Sequence, residues 1–210
     1  MINRLFVHHT GGIGQYKYAS SAHLTFENIN NAHRDRWPNF KSLLGEYGGY
    51  NIAIRPDGEW HQFRMLGEET AAQKGYNETA FSIALIGNFT INPATGSSVD
   101  NITSDQIKMF EQIALAILEK RTDDLGIKKL PNVDWNIPIQ NVGPHRLVNP
   151  TDCYGGSLSD NWARNILTDR LQISLRGKII LLIQQLIDLL TRTKTRCVAA
   201  VTGDKECHVG

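Results

Sequence analysis

Two segments carry side chains able to hold a metal ion. LFVHHT, residues 5–10, sets His8 and His9 side by side on an apolar run; GPHRLVNPTDCYGG, residues 143–156, sets His145 and Cys153 eight residues apart across Pro150. Imidazole and thiolate are the ligands zinc prefers, and they need not be close in sequence. A spacing of eight matches no zinc finger, but a loop that folds back can aim both side chains at one ion. With one strand histidine added, three protein ligands leave a fourth tetrahedral position open, which is the catalytic arrangement. The plainer reading stands beside it: a strand histidine is often a hydrogen-bonded polar group, and a lone interior cysteine a small hydrophobe. Strand alternation puts Phe6, His8 and Thr10 on one face and Val7 and His9 on the other, without choosing between the histidines.

The elements that must position these residues follow from periodicity and punctuation. RLFVHHT reads as a first strand ended by Gly11 and Gly12, and SSAHLTFENINNAHRDR as a surface helix stopped by Trp37-Pro38. GGYNIAIRPDGEWHQF reads as a hairpin, with Pro56 and Gly58 suited to the second and fourth positions of a type I turn. FSIALIGNF, closed by Gly87, has the unbroken apolar character of a buried central strand. TSDQIKMFEQIALAILEKR offers Thr103 or Ser104 as a cap, then Ile107, Phe110, Ala114, Ile117 and Leu118 at helical spacing. A loop carrying His145 and Cys153 comes next, then a helix over LSDNWARNILTDRL. This order predicts an α/β or α+β domain, a mixed sheet flanked by helices, over residues 1–172. Residues 173–210 are expected to add a separate apolar-striped helix over 173–193 and a tail.

The bulk numbers exclude several classes. Of 210 residues, 41% are hydrophobic and 20% charged, as in ordinary globular proteins. A net charge of +1 with scattered charges gives no nucleic-acid footprint. The start, MINRLFVHHTGG, lacks the pattern of a signal peptide, so the expectation is a chain made in the cytoplasm. The longest apolar run, IILLIQQLIDLL, holds Gln184, Gln185 and Asp188 and is too short and polar to span a bilayer. Three cysteines do not make a disulfide scaffold, and pairing of Cys197 with Cys207 stays open.

Four segments, FVHHT, GGYNIAIRPDG, QKGYNETAFSIALIGNF and GPHRLVNPTDC, occur in this order over roughly residues 3–170. Together they resemble the zinc-dependent N-acetylmuramoyl-L-alanine amidases of the type-2 amidase and peptidoglycan recognition protein family, which includes phage endolysins. The resemblance implies one Zn2+ per chain, held by His8, His145 and Cys153. It implies hydrolysis of the amide between the muramic acid lactyl group and L-alanine, with peptidoglycan or a muropeptide as partner. Zinc of this kind polarises an amide and brings the pKa of a water down to about 7.

Tyr50 matches the family's catalytic tyrosine, and a phenol with a pKa of about 10 keeps its proton for donation at neutral pH. Thr151 falls where relatives carry lysine or threonine, as a hydrogen-bonding aid. The helix FENINNAHRDRW borders the groove in relatives, so Arg34, Arg36 and Trp37 are candidate substrate contacts, as is Arg146; each also reads as an ordinary surface side chain. Two departures stand out. Ala72 occupies the place of a substrate-facing histidine, and FSIALIGNF lacks the strand glutamate of the cytoplasmic anhydromuropeptide amidases. Both place the chain nearer the endolysin and recognition-protein branch, acting on the cell wall after release by another route. The rival expectations are a recognition module that binds without cutting and a cytosolic muropeptide-recycling amidase. The helix over 173–193, with basic residues at both ends, is expected to pack on the protein, to self-associate or to contact a membrane surface.

Overall fold

The computed structural model describes residues 1–201, with side chains up to residue 189 except at positions 174, 178, 181 and 188. It divides into two compact units, Met1–Thr168 and the part from Asp169 onward. The first unit is built on a five-stranded sheet in the order β3-β2-β4-β1-β7. Its strands are β1 (Arg4–His9), β2 (Ile52–Ile54), β3 (Trp60–Gln62), β4 (Ala80–Leu85) and β7 (Val142–Pro144). β1 runs parallel to β4 and β7, β2 runs parallel to β4, and β3 pairs antiparallel to β2, so the sheet is mixed. A small second ribbon pairs β5 (Ile91–Asn92) with β6 (Ser97–Ser98).

Alternation along the strands sorts the two faces. Leu5, Val7, Ile52, Ile54, Phe81, Ile83 and Leu85 point to one side and meet Phe110, Ile113, Ala114 and Ile117 of helix α2 (Ser104–Leu118). Helix α2 begins where expected, with the Thr103 side chain accepting from the Gln106 amide. Ala53, Ala84 and Ile86 point to the other side, with Phe63 and with Ile29, the one buried residue of helix α1 (Phe26–Arg36). Two alanines under α1 leave this face shallow, and His8 shares it in register with Ala84. The hairpin closes through Gly58 N–H donating to the Arg55 carbonyl at 3.0 Å.

Two elements depart from the sequence reading. β7 was expected to be loop, because VGP is three residues long and contains glycine and proline. It forms because β1 offers a free parallel edge, pairing Leu5 with Val142 and Val7 with Pro144. The two helices expected around residue 172 are one continuous helix α3 (Trp162–Val201), since LQIS at 171–174 contains neither a proline nor a capping break. In the first unit its start contributes Ala163 and Leu167 to the core. Beyond Thr168, nine of the described side chains between Ile173 and Leu189 are large, apolar and exposed. No helix among the described residues is long and apolar enough to cross a membrane. The pairing of Cys197 with Cys207 lies outside the described residues.

One buried cation holds the long connections together. Arg64 is 3% exposed, and its Nε donates to the Gly48 carbonyl at 2.8 Å, Nη1 to Glu69 O at 3.3 Å and Nη2 to Phe40 O. It also lies 3.7 Å over the Phe40 ring. Three loop segments thus converge on one guanidinium, including those leading to Tyr50 and to residue 73. Arg64→Met keeps bulk but leaves three carbonyls unmet, and a loss of about 2–4 kcal/mol in denaturant unfolding is expected. Arg121→Met removes a half-exposed arginine paired with Glu119 and Asp124 and should leave stability nearly unchanged. Equal effects of the two would show that the buried clasp is dispensable.

Candidate metal centre

The register of β1 against β7 brings two histidines together. Val7 lies opposite Pro144, so the next residues along the parallel strands are His8 and His145, and their ring centroids are 5.0 Å apart. His145 opens a short helical turn, His145–Leu147. The following loop folds back through Arg146 N–H donating to the Cys153 carbonyl at 3.1 Å. Cys153 Sγ then lies 3.5 Å from His8 Nδ1, and the ligand atoms of His8, His145 and Cys153 all fall within 4.8 Å of one another. Tetrahedral zinc, with sulfur at about 2.3 Å and nitrogen at about 2.0–2.1 Å, holds those two donors about 3.5 Å apart. The donor set therefore fits the ion.

Burial sets the protonation states. His8 is pulled down to about 3, first by burial and then by neighbouring His145, with its hydrogen bond to Gln73 Oε1 opposing. His145 is also lowered by burial, and the Cys153 thiol is pushed up to about 12 by burial. Two neutral imidazoles and a reluctant thiol do not make a nucleophilic Cys–His pair, which needs a thiolate of depressed pKa. They suit a cation that takes the place of the thiol proton.

His9 points to the other face. Its Nδ1 accepts from Phe89 N–H at 3.2 Å and its ring stacks on Phe89, so it is packed away from the ligand cluster.

Tyr50 stands beside the cluster, its ring centroid 5.3 Å from that of His8 and 5.6 Å from that of His33. Burial, then the Cys153 charge, raises its phenol above the ordinary value, so it remains a hydrogen-bond donor. The chain before it is fixed tightly: a Cβ on Gly48 would lie 2.2 Å from the Phe63 ring, and Gly49 N–H donates to His33 Nδ1 at 2.8 Å. A cavity of about 220 Å3 opens next to the phenol, lined by Gly12, Leu24, Ile29, Ala32, His33 and Tyr50 among others. Trp37 packs 5.2 Å from His33, with the Arg36 guanidinium 4.6 Å over its ring. Trp37 and Arg36 thus border the Tyr50 side of the centre through His33.

The remaining candidates sit apart from the ligand atoms. Arg34 lies on the exposed face of α1, paired with Asp35 at 3.2 Å. Arg146 donates from Nε to Asp160 at 2.5 Å, from Nη1 to Gly155 O and from Nη2 to Leu158 O at 2.8 Å, and lies over Tyr154. All three of its nitrogens are engaged by the segment 155–160 that follows Cys153. Thr151 is exposed, and its hydroxyl accepts from Cys153 N–H at 3.3 Å. With Lys17, Tyr18, Arg146 and Asp152 it lines a second cavity of about 260 Å3.

Two residues of the centre escaped the sequence reading. Gln73 is fully buried with Oε1 3.1 Å from His8 Nε2, and His33 links α1 to the Tyr50 segment. The same loop reaches the second histidine, since Asn149 Nδ2 donates to Lys74 O at 3.2 Å and sits 3.0 Å from His145 Nε2. His33 carried a faint signal, standing four residues before Trp37 on one helix face. Gln73 carried none.

Acid sensitivity follows from the histidines. His9 is lowered to about 4, chiefly by burial with Asp152 opposing, and His33 to about 4 by burial, then Arg36 and Arg64. The unfolded chain takes up these protons near its ordinary value of about 6.5, well before the native state does. The stabilisation is therefore complete above that value and is lost as pH falls toward 4. For His9 it amounts to about 3 kcal/mol at most, and less for the half-buried His33. Unfolding free energies of chelator-treated protein should fall steadily between pH 7 and 4.5; a flat profile would show that these rings titrate normally.

Comparison with known proteins gives the centre its context. The family model described as N-acetylmuramoyl-L-alanine amidase, Amidase_2, matches residues 1–155. Among solved structures, the chain is similar to the N-acetylmuramoyl-L-alanine amidase LysC from Clostridium intestinale URNW. That match has 21% identity and a TM-score of 0.52, covering 80% of this chain and 85% of that one. It is also similar to the Ph2119 endolysin from Thermus scotoductus MAT2119 bacteriophage Ph2119, at 17% identity and a TM-score of 0.51, covering 79% and 84%. No curated protein matches in sequence. The mixed sheet flanked by helices is the type-2 amidase fold, and the chain belongs to the N-acetylmuramoyl-L-alanine amidase family.

Proposed function

We propose that the chain is a zinc-dependent amidase that cleaves peptidoglycan between N-acetylmuramic acid and the L-alanine of the stem peptide, in a lytic role. The observation that carries this reading is the convergence of His8, His145 and Cys153 within 4.8 Å, with the Tyr50 phenol packed against His8. A zinc ion held by these three ligands would polarise the scissile amide and activate a water at neutral pH. The protein's own groups do the rest. His8 and His145 bind as neutral imidazoles, and Cys153 gives up its proton on binding. Tyr50 keeps its proton and donates to the amide oxygen as negative charge grows there. The apolar wall of Leu24, Ile29 and Ala32 excludes water beside the phenol and offers a seat for apolar parts of the substrate. The Thr151 hydroxyl, held by the Cys153 amide, is a secondary donor at the loop's edge.

The uncharged, wholly buried β4 supports the lytic reading, because it has no carboxylate to serve as the general base of a cytosolic recycling enzyme. A recognition module that binds without cutting has no need of a third ligand, so Cys153 weighs against that alternative.

The test pairs metal content with release of stem peptides from purified peptidoglycan. Wild type should hold one zinc and generate new alanine amino termini, and Cys153→Ser should lose both. Tyr50→Phe should keep the zinc and lose roughly 10²–10³-fold in rate. Wild-type protein that binds peptidoglycan without zinc and releases no peptide would make the chain a recognition module and sink the proposal.

A further inference from the structure

The loop from Thr70 to Asn77 carries, on the buried side chains of Thr70 and Gln73, a chain of hydrogen bonds whose direction is fixed at one end. The Asn77 carbonyl can only accept, and it lies 3.3 Å from Thr70 Oγ1, so the hydroxyl donates to it. The Thr70 oxygen, having donated its one proton, accepts from Gln73 Nε2 at 3.1 Å. That orients the amide so that Oε1 faces His8 Nε2 at 3.1 Å. An amide oxygen only accepts, so the proton of the neutral His8 ring sits on Nε2 and the lone pair on Nδ1. Nδ1 is the atom 3.5 Å from Cys153 Sγ. Gln73 is itself pinned by its own N–H donating to Asn77 Oδ1 at 2.9 Å, and Thr70, Gln73 and His8 are all buried, where no water competes.

We infer that Gln73 is a positioning residue: the relay from the Asn77 carbonyl through Thr70 and Gln73 locks His8 in the Nε2–H tautomer and presents a bare Nδ1 to the ligand cluster. A mere filler would need only to occupy volume. The relay instead transmits the polarity of one backbone carbonyl to an imidazole that is 2% exposed. Its consequence for metal affinity rests on the zinc reading, while the tautomer itself belongs to the metal-free chain. Outer partners of this kind typically change metal affinity by roughly 10–100-fold when removed.

The experiment follows the ¹⁵N shifts of the His8 ring in chelator-treated, full-length protein, beside zinc affinity by chelator competition and thermal unfolding. Wild type should show the Nε2–H tautomer. Gln73→Met leaves Cys153 Sγ as the remaining hydrogen-bond partner of the ring among the described residues, so the ring should shift toward Nδ1–H and zinc should bind roughly 10–100-fold more weakly. Gln73→Glu retains an acceptor for Nε2–H and should recover most of the tautomer and of the affinity, which lost packing could not explain. Thr70→Val, which does not touch the ring, should free the Gln73 amide to turn and yield a tautomer mixture, and it serves if the Met variant fails to fold. Wild-type His8 in the Nδ1–H form would overturn the inference, as would unchanged tautomers in folded Gln73→Met and Thr70→Val. A wild-type chain that takes up no zinc, yet whose His8 tautomer depends on Gln73, would uphold the relay and refute the zinc reading alone.

Discussion

A neutral imidazole buried in a sheet can serve a ligand only if one nitrogen is satisfied and the other is bare. Much of the first unit is arranged around that constraint at His8. β1 is flanked by β4 and β7, with Leu5 and Val7 sealing the α2 side, and the ring on the opposite face is only 2% exposed. Burying a polar ring without a partner costs on the order of 1–3 kcal/mol, which Gln73 offsets on one side. The other side faces Cys153, and the alanines at 53 and 84 leave room for the ring. The centre thus lies at the carboxyl ends of parallel strands, where open α/β sheets generally place their ligands. His8 ends near the tip of β1, and His145 directly follows β7.

A strand places His8 and the end of β7 places His145, but loops deliver Cys153 and the Tyr50 phenol, and loops need their own restraints. Two charged clasps supply them, at Arg64 and at Asp100. Arg64 gathers the carbonyls of Phe40, Gly48 and Glu69 behind the Tyr50 and Gln73 segments. Asp100 accepts from the amides of Ser21, Ala22 and Asn88 and from the Ser20 hydroxyl, tying the wall after β1 to the end of β4. Charge-assisted bonds to several backbone groups are stronger than neutral ones, and each clasp fixes chain segments far apart in sequence. Arg146 repeats the device on a smaller scale around the Cys153 loop.

What was legible in the sequence divides along physical lines. β1, the β2–β3 hairpin, β4 and α2 announce themselves because burial imposes a period and turns impose glycine or proline. Alternation separates His8 from His9 and the family resemblance points to His8, but the register that sets His8 beside His145 comes from β7, and VGP carries no strand pattern of its own. It is a strand because β1 is there. The fusion of two expected helices into α3 was missed for the converse reason, that helices end at identifiable stops and LQIS holds none. The sequence does not reveal how Arg146 is held, because an arginine beside a candidate ligand looks the same whether it meets substrate or braces a loop. Its partners, Asp160 and the Gly155 and Leu158 carbonyls, come from a fold-back that local pattern does not encode. Gln73 is the extreme case, a polar loop residue whose meaning is wholly tertiary.

The charge state of the centre bears on how it acquires its ion. With both imidazoles neutral and the thiol protonated up to about 12, the cluster carries no net charge of its own. It can therefore assemble without an ion to suppress repulsion, unlike zinc fingers, which are unfolded without metal. The hydrogen bonds that aim the ligands, Gln73 to His8, Arg146 N–H to the Cys153 carbonyl and Thr151 to the Cys153 amide, are all internal to the chain. Binding a dication here would require the release of one proton, from Cys153, and would leave a centre of net charge +1. On the proposed zinc reading, affinity would accordingly fall as pH drops, and the remaining positive charge would be available to polarise a substrate amide. A carboxylate in place of Cys153 would bring its negative charge in advance, raising His8 and His145 toward protonation before any ion arrived. A buried thiol avoids that, because it stays neutral until the moment of ligation.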